Sequence, residues 1–323
     1  MSTPESNINH VRQEIGALVT ESSNPHYPDL AAMSTTELVT AMNGEDALVP
    51  QAIERQIPVI TAIVDEVAAR MSRGGRLIYV GAGTPGRMGI LDASECPPTF
   101  GTDPSLVVGV IAGGSAAVNQ AVENAEDSQE GGAADMAALE LTANDSVIGL
   151  AASGRTPYVI AAINAAKARG AYTVGFACNN NSPLGAAADT ALEIELGPEF
   201  LTGSTRLKSG TCQKLVLNMI STLAMVRLGK TFKNLMVDLR ATNAKLHARS
   251  ERTLMQLTDC DAATATAALA AADGHVKTAL LAIVTELPAE QASALLAENG
   301  GFLPAAITAG SNARRRHSPH DSI

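Results

Sequence analysis

From Pro50 to Met71 the apolar residues Ile53, Ile57, Ile60, Ile63, Val64, Val67, Ala68 and Met71 recur at helical spacing, and Gly74-Gly75 closes the run. The period then changes. Residues 77–80, 106–111, 146–152, 172–177 and 191–196 are short and almost continuously apolar, the mark of strands buried on both faces. Stretches with helical periodicity at 84–94, 116–125, 133–141 and 156–169 separate most of them. Strands alternating with helices predict an α/β fold: a doubly wound parallel sheet flanked by helices, joined by right-handed crossovers, over residues 51–230. Residues 1–50 are mixed and polar and read as an N-terminal helical arm. Residues 207–228 form a long helix, with Cys212, Leu215, Val216, Met219, Ile220, Leu223 and Val226 on one stripe, and 232–252 a further helix. The Ala/Leu-rich remainder, with stops at Asp273-Gly274 and Gly300-Gly301, makes 231–310 a helical linker and small C-terminal helical domain. The residues from 311 to 323, with Arg314, Arg315 and Arg316, read as a disordered tail.

Composition narrows the function classes. The 323 residues are 46% hydrophobic and 17% charged, which is globular rather than disordered. A net charge of −10 and only 3% aromatic residues argue against nucleic-acid binding and base stacking. Cys96, Cys178, Cys212 and Cys260 are far apart with no C-x-x-C pair, and the histidines show no metal-ligand spacing outside the tail, so no metal or redox cofactor is expected. No apolar run reaches the roughly 18 residues of a membrane helix. The first six residues lack the basic and apolar regions of a signal peptide. A cytoplasmic chain with reduced thiols and no membrane partner is expected.

Three loops carry the candidate binding chemistry. Gly81-Ala82-Gly83-Thr84-Pro85-Gly86 fits G-x-G-x-x-G between a strand and a helix, where backbone N–H groups and the helix N-terminus attract an anion. Thr84 suits the helix cap and Pro85 its first position. A dinucleotide site needs a carboxylate at the end of the second strand, but that strand ends in Ala112-Gly113-Gly114. Ser153-Gly154-Arg155-Thr156 repeats the strand-to-helix pattern. Ser204-Thr205-Arg206-Leu207-Lys208 opens the long helix with two hydroxyls and two cations, donors that suit a phosphate monoester. Together they point to a phosphorylated small molecule.

The carboxylates are less specific. Asp92 and Glu95 stand three apart just ahead of Pro97-Pro98, and Glu123, Glu126 and Asp127 cluster near the end of the next predicted helix. By spacing alone each fits a solvated face or a general acid–base pair.

Four runs taken together resemble one family: GRLIYVGAGT at 75–84, LDASECPPTF at 91–100, AASGRTPY at 151–158 and LTGSTRLK at 201–208, with NLMVD at 234–238 and Thr242-Asn243 in support. The chain is similar to the N-acetylmuramic acid 6-phosphate etherases over most of its length. The resemblance implies a sugar isomerase (SIS) fold with a C-terminal region like a ubiquitin-associated domain, and usually a homodimer. It implies cleavage of the D-lactyl ether of the phosphosugar, with Glu95 as general acid and Glu126 as the base at C2. Gly83, Thr84, Ser153, Gly154, Thr156, Ser204, Thr205, Arg206 and Lys208 would then hold substrate and phosphate. Where the family commonly has Ser, this chain has Pro85, which removes a hydroxyl and an N–H and shifts phosphate contact onto the other loops. A phosphosugar sensor without catalysis and an aldose–ketose isomerase are the other activities this fold accommodates.

Overall fold

A computed structural model describes residues 16, 18–238 and 244–317, the last five of these as backbone. Two compact units divide the chain, one of residues up to 95 with 104–224, the other of 96–103 with 225 onward.

The first unit begins with 3₁₀ turns at Val19–Glu21 and Leu30–Ala32. Then come α1 (Thr35–Asp46), opened by a Ser34–Glu37 capping box, α2 (Val49–Glu54) and α3 (Ile57–Met71). The sheet elements follow: β1 (Leu77–Gly81), α4 (Gly83–Phe100), β2 (Val107–Ile111), α5 (Ala116–Asn119), α6 (Gln129–Ala138), β3 (Ser146–Ala151), α7 (Pro157–Ala168), β4 (Tyr172–Ala177), α8 (Pro183–Ala187) and β5 (Thr190–Glu193). The long helix α9 is Lys208–Arg227. The five strands are parallel, in the order β2-β1-β3-β4-β5. Their burial explains the missing alternation in the sequence: every residue of β1 and β3 is buried.

Ile78, Val80 and Val147 pack with Val159, Ala162 and Ile163 of α7 and Met136 of α6. The opposite face of β1 and β2 takes α4. A Cβ on Gly109 would stand 2.7 Å from Ile90 Cα, so α4 approaches the sheet as closely as a missing side chain permits. Because β2 and β3 flank β1 on opposite sides, the connections after β1 and β3 diverge, and their C-terminal ends bound the crevice where open α/β sheets take ligands.

The second unit includes a hairpin of β6 (Thr231–Phe232) and β7 (Leu235–Met236), then α10 (Ala244–Thr258), α11 (Ala262–Ala271), α12 (Val276–Thr285), α13 (Ala289–Glu298) and α14 (Leu303–His317). Val237, Leu254, Leu269, Leu280 and Leu303 belong to its core. Among the described residues no single helix is long and apolar enough to cross a membrane.

Four local expectations change. The helix expected to stop near 94 runs through Pro97-Pro98 to Phe100, although proline lacks the helical donor; Cys96 and Phe100 are buried on either side. The helix expected over 116–125 is a single turn, because Arg87 takes the carbonyls of Val118 (Nε, 2.9 Å) and Gln120 (Nη2, 3.2 Å). The helix expected from 232 is a hairpin instead, turned by Lys233 at φ 54° and clasped by Lys230–Asp238 at 2.6 Å. The tail expected to be disordered from 311 is helical to His317, and 318–323 lie outside the described residues. Residues 1–15, 17 and 239–243, with Thr242-Asn243, lie outside them too.

Candidate active site

The loop after β1 delivers Gly83 and Thr84 to the crevice. Helix α4 starts at Gly83, so Thr84 and Pro85 sit within its first turn rather than at the cap. Gly83 lines a cavity of about 260 Å³ together with Arg87, Glu123, Asn124 and Glu126. Glu126 stands exposed in a 3₁₀ turn, Ala125–Asp127, entered through Asn124 at φ 60°. The structure therefore brings Gly83 and Glu126 together. Arg87 is a cation at this cavity that the sequence reading missed; it lies one turn into α4 with no motif to mark it.

Glu95 is also exposed, but on the same helix twelve residues beyond Gly83. At 1.5 Å per residue it lies roughly 18 Å along the axis, so one chain does not bring it to that cavity. One turn before it, Asp92 is buried. Its carboxylate accepts from Tyr79 Oη (2.9 Å), Asn218 Nδ2 (2.7 Å) and Ser221 Oγ (3.1 Å). Asp92 ties α4 to β1 and α9, which fixes the turn that presents Glu95. A solvated face is not its role.

In the loop after β3, Ser153 Oγ accepts from Arg155 N at 3.3 Å, and Thr156, half-buried, precedes α7 without a side-chain cap bond. Gly154 has φ 71°, and a Cβ there would meet Ser182 Cβ at 2.4 Å, so only glycine fits. The third loop adjoins the first, since a Cβ on Gly210 would lie 3.4 Å from Thr84 Cγ2. Ser204 and Thr205 are half-buried and Arg206 is exposed.

Lys208 departs from expectation. It is 2% exposed, and its ammonium bonds Glu45 Oε2 at 2.5 Å and Leu196 O at 3.0 Å. The N-terminus of α9 is also occupied from within: Glu199 accepts from Lys208 N (2.9 Å), Ser209 N (3.0 Å) and Ser209 Oγ (2.8 Å). A buried carboxylate fills the place where a phosphate was expected, and the cation is engaged elsewhere. Neither Glu199 nor Glu45 carries a motif. Among the described residues no cluster of His, Cys, Asp and Glu is arranged to hold a metal.

A five-stranded parallel sheet with glycine- and hydroxyl-bearing loops at its switch point is the architecture expected of an SIS domain, and the family comparisons find that domain in this chain. Residues 59–167 match the glucokinase regulatory protein N-terminal SIS domain, and 115–225 the SIS domain. A phosphoheptose isomerase structure from Francisella tularensis covers 60% of this chain and 98% of its own at 16% identity, TM-score 0.47. Full-length relatives are much nearer. The N-acetylmuramic acid 6-phosphate etherase of Streptomyces avermitilis is 54% identical over 95% of this chain and 99% of its own. Those of Streptomyces coelicolor and Erwinia tasmaniensis are 53% and 52% identical, over 93% and 94% of this chain and 96% and 99% of their own. The chain belongs to the N-acetylmuramic acid 6-phosphate etherase family.

Proposed function

We propose that this protein cleaves the D-lactyl ether of N-acetylmuramic acid 6-phosphate, giving N-acetylglucosamine 6-phosphate and D-lactate. The observation that carries this is identity above one half with etherases over nearly the whole of both chains. The family resemblance supplies the two glutamates, and the chemistry of the reaction gives each its task. In the ring-opened sugar the C1 aldehyde acidifies the C2 proton. Glu126, as carboxylate, removes it; the electron pair forms the C2–C3 double bond as the C3–O bond breaks. Glu95, in its acid form, protonates the departing lactyl oxygen. Water then adds, hydroxyl to C3 and proton to C2. Each proton transfer contributes about 10²–10⁴ in rate. The scheme moves protons and one electron pair and calls for no cofactor. Gly83, Thr84, Ser153, Gly154, Thr156, Ser204, Thr205 and Arg206 hold the phosphosugar in this reading; Lys208 is withdrawn from that set.

The separation of Glu95 from the Glu126 cavity supports a homodimer in which a second copy supplies the missing carboxylate. Leu91, one turn before Glu95 on α4, and Met219 and Leu223 on α9 are 47%, 37% and 46% exposed, apolar side chains that a second copy would cover. The four cysteines, all free thiols, support a cytoplasmic, reducing location.

The test is release of D-lactate from N-acetylmuramic acid 6-phosphate by the purified chain; a folded protein releasing none rejects the reading. Glu95→Gln and Glu126→Gln should each abolish turnover while substrate still binds. Mixing the two inactive variants should restore part of the activity if the carboxylates meet across two copies, and none if each chain is self-sufficient.

A further inference from the structure

The segment ahead of α1 is fastened across the C-terminal end of the sheet by one side chain. Asn179, two residues past β4 and 4% exposed, uses its whole amide. Its Oδ1 accepts from Val19 N (3.0 Å) and Thr20 N (3.4 Å), and its Nδ2 donates to Thr20 Oγ1 (3.0 Å) and to Ala152 O (3.1 Å). Thr20 is 1% exposed. Ala152 immediately precedes Ser153, and its carbonyl also accepts from Cys178 N at 2.9 Å. The same strap reaches the third loop. Glu21 Oε2 lies 3.0 Å from where a Cβ of Gly203 would stand, and the Tyr27 ring meets Phe200 at 5.1 Å between centroids. A buried amide with every donor and acceptor satisfied has one geometry, and it transmits that geometry to both partners.

We propose that Asn179 is a positioning residue for the reaction. Through it, residues Val19–Glu21 act as a fixed strap that sets the Ser153–Thr156 loop in the conformation that receives the substrate phosphate. This rests on the reading of that loop as phosphate-binding. Because the strap touches the binding loops and neither proposed catalytic carboxylate, its loss weakens binding and leaves the chemical step.

The experiment uses the full chain with Thr20→Val, Thr20→Ser, Asn179→Ala and Ser153→Ala, measuring kcat and KM for D-lactate release and inhibition by inorganic phosphate. Losing one buried hydrogen bond is worth about tenfold, so Thr20→Val should raise both KM and the phosphate inhibition constant by that factor with kcat within about twofold. Thr20→Ser, which keeps the hydroxyl, should restore both, and Asn179→Ala should exceed Thr20→Val in the same direction. An unchanged KM in folded Thr20→Val, with KM raised in Ser153→Ala, overturns the strap alone. An unchanged KM in both overturns the reading of the loop and the proposal with it. A fall in kcat at constant KM overturns the positioning role, because the strap would then act on chemistry.

Discussion

Helices α4 and α9 open on similar sequence: glycine, hydroxyls and a nearby cation ahead of an apolar stripe. Their N-termini meet opposite fates. The start of α4 faces a cavity shared with Glu126 and Arg87. The start of α9 is closed by Glu199, and its lysine is held by Glu45. A helix N-terminus attracts negative charge whoever supplies it. The local signature therefore says that an anion will be there, and only the fold says whether it comes from a ligand or from the chain itself.

Breaking the closed end should have the largest effect. The Lys208–Glu45 pair is 2% and 8% exposed, so deleting one member leaves a buried charge alone. Lys208→Met should cost about 3–5 kcal/mol in urea unfolding. The double variant Lys208→Met with Glu45→Leu should recover most of that loss, and with it the KM of the parent. A KM that stays high in a double variant of restored stability would return Lys208 to the substrate site and erase the contrast between the two helices.

Glu199 and Thr84 sharpen the contrast from both sides. Glu199→Ala removes the acceptor of three hydrogen bonds at the start of α9 and should lower stability by about 2 kcal/mol. Thr84→Val, at the open end, should leave unfolding nearly unchanged and raise KM about tenfold, the worth of one charge-assisted bond to phosphate. Urea titration and steady-state kinetics on both proteins decide it. If the two profiles are interchanged, the assignment of open and closed ends is reversed.

The parts of the fold that were legible share a cause. Strands buried on both faces leave continuous apolar runs, and α9 leaves a stripe, so local pattern and tertiary burial agree. What escaped was settled by partners far away in sequence. Glu45 meets Lys208 across 163 residues and Asn179 meets Thr20 across 159, and neither pairing leaves a local trace. Residues 1–50 read as an arm because the segment is mixed and polar, yet within it Thr20 and Glu45 are buried, bonded to Asn179 and Lys208. Asp92 has the spacing of a surface acid and is buried by three donors that the sequence scatters over β1 and α9. The stripe on α9 was only half a core: Cys212, Val216 and Ile220 are buried, while Met219 and Leu223 face out. At the candidate site, spacing pointed to the three loops read as phosphate-binding and resemblance pointed to the two glutamates. The roughly 18 Å that keeps Glu95 from the cavity is the rise of the twelve residues of α4 from Gly83 to Glu95, all of them ahead of its prolines.

The N-terminal ends of β1 and β3 supply the control for these comparisons, a carboxylate partnered from within the chain at the end of the sheet opposite the ligand crevice. Asp145, 1% exposed, accepts from Arg76 N (2.8 Å) and Nε (3.1 Å) through Oδ1, and from Arg76 Nη2 (2.9 Å) and Thr142 N (2.8 Å) through Oδ2. Burial pushes its carboxyl up, but the hydrogen bonds from Arg76 and Thr142 and the guanidinium charge outweigh it and hold the pKa below the ordinary value. A depressed folded-state pKa contributes stability that is present above the unfolded value, about 3.9, and is lost as pH falls through the folded value. Asp145→Asn should therefore be less stable than the parent by about 1–2 kcal/mol at pH 7. The gap should hold down to about pH 4 and narrow below it, as the parent's own carboxylate takes up its proton. KM for the phosphosugar should not move at any pH where both proteins are folded. A gap that stays constant from neutral to strongly acid pH would mean that Asp145 acts through packing rather than charge. A KM that shifts with Asp145→Asn would mean that this end of the sheet, too, reports to the site.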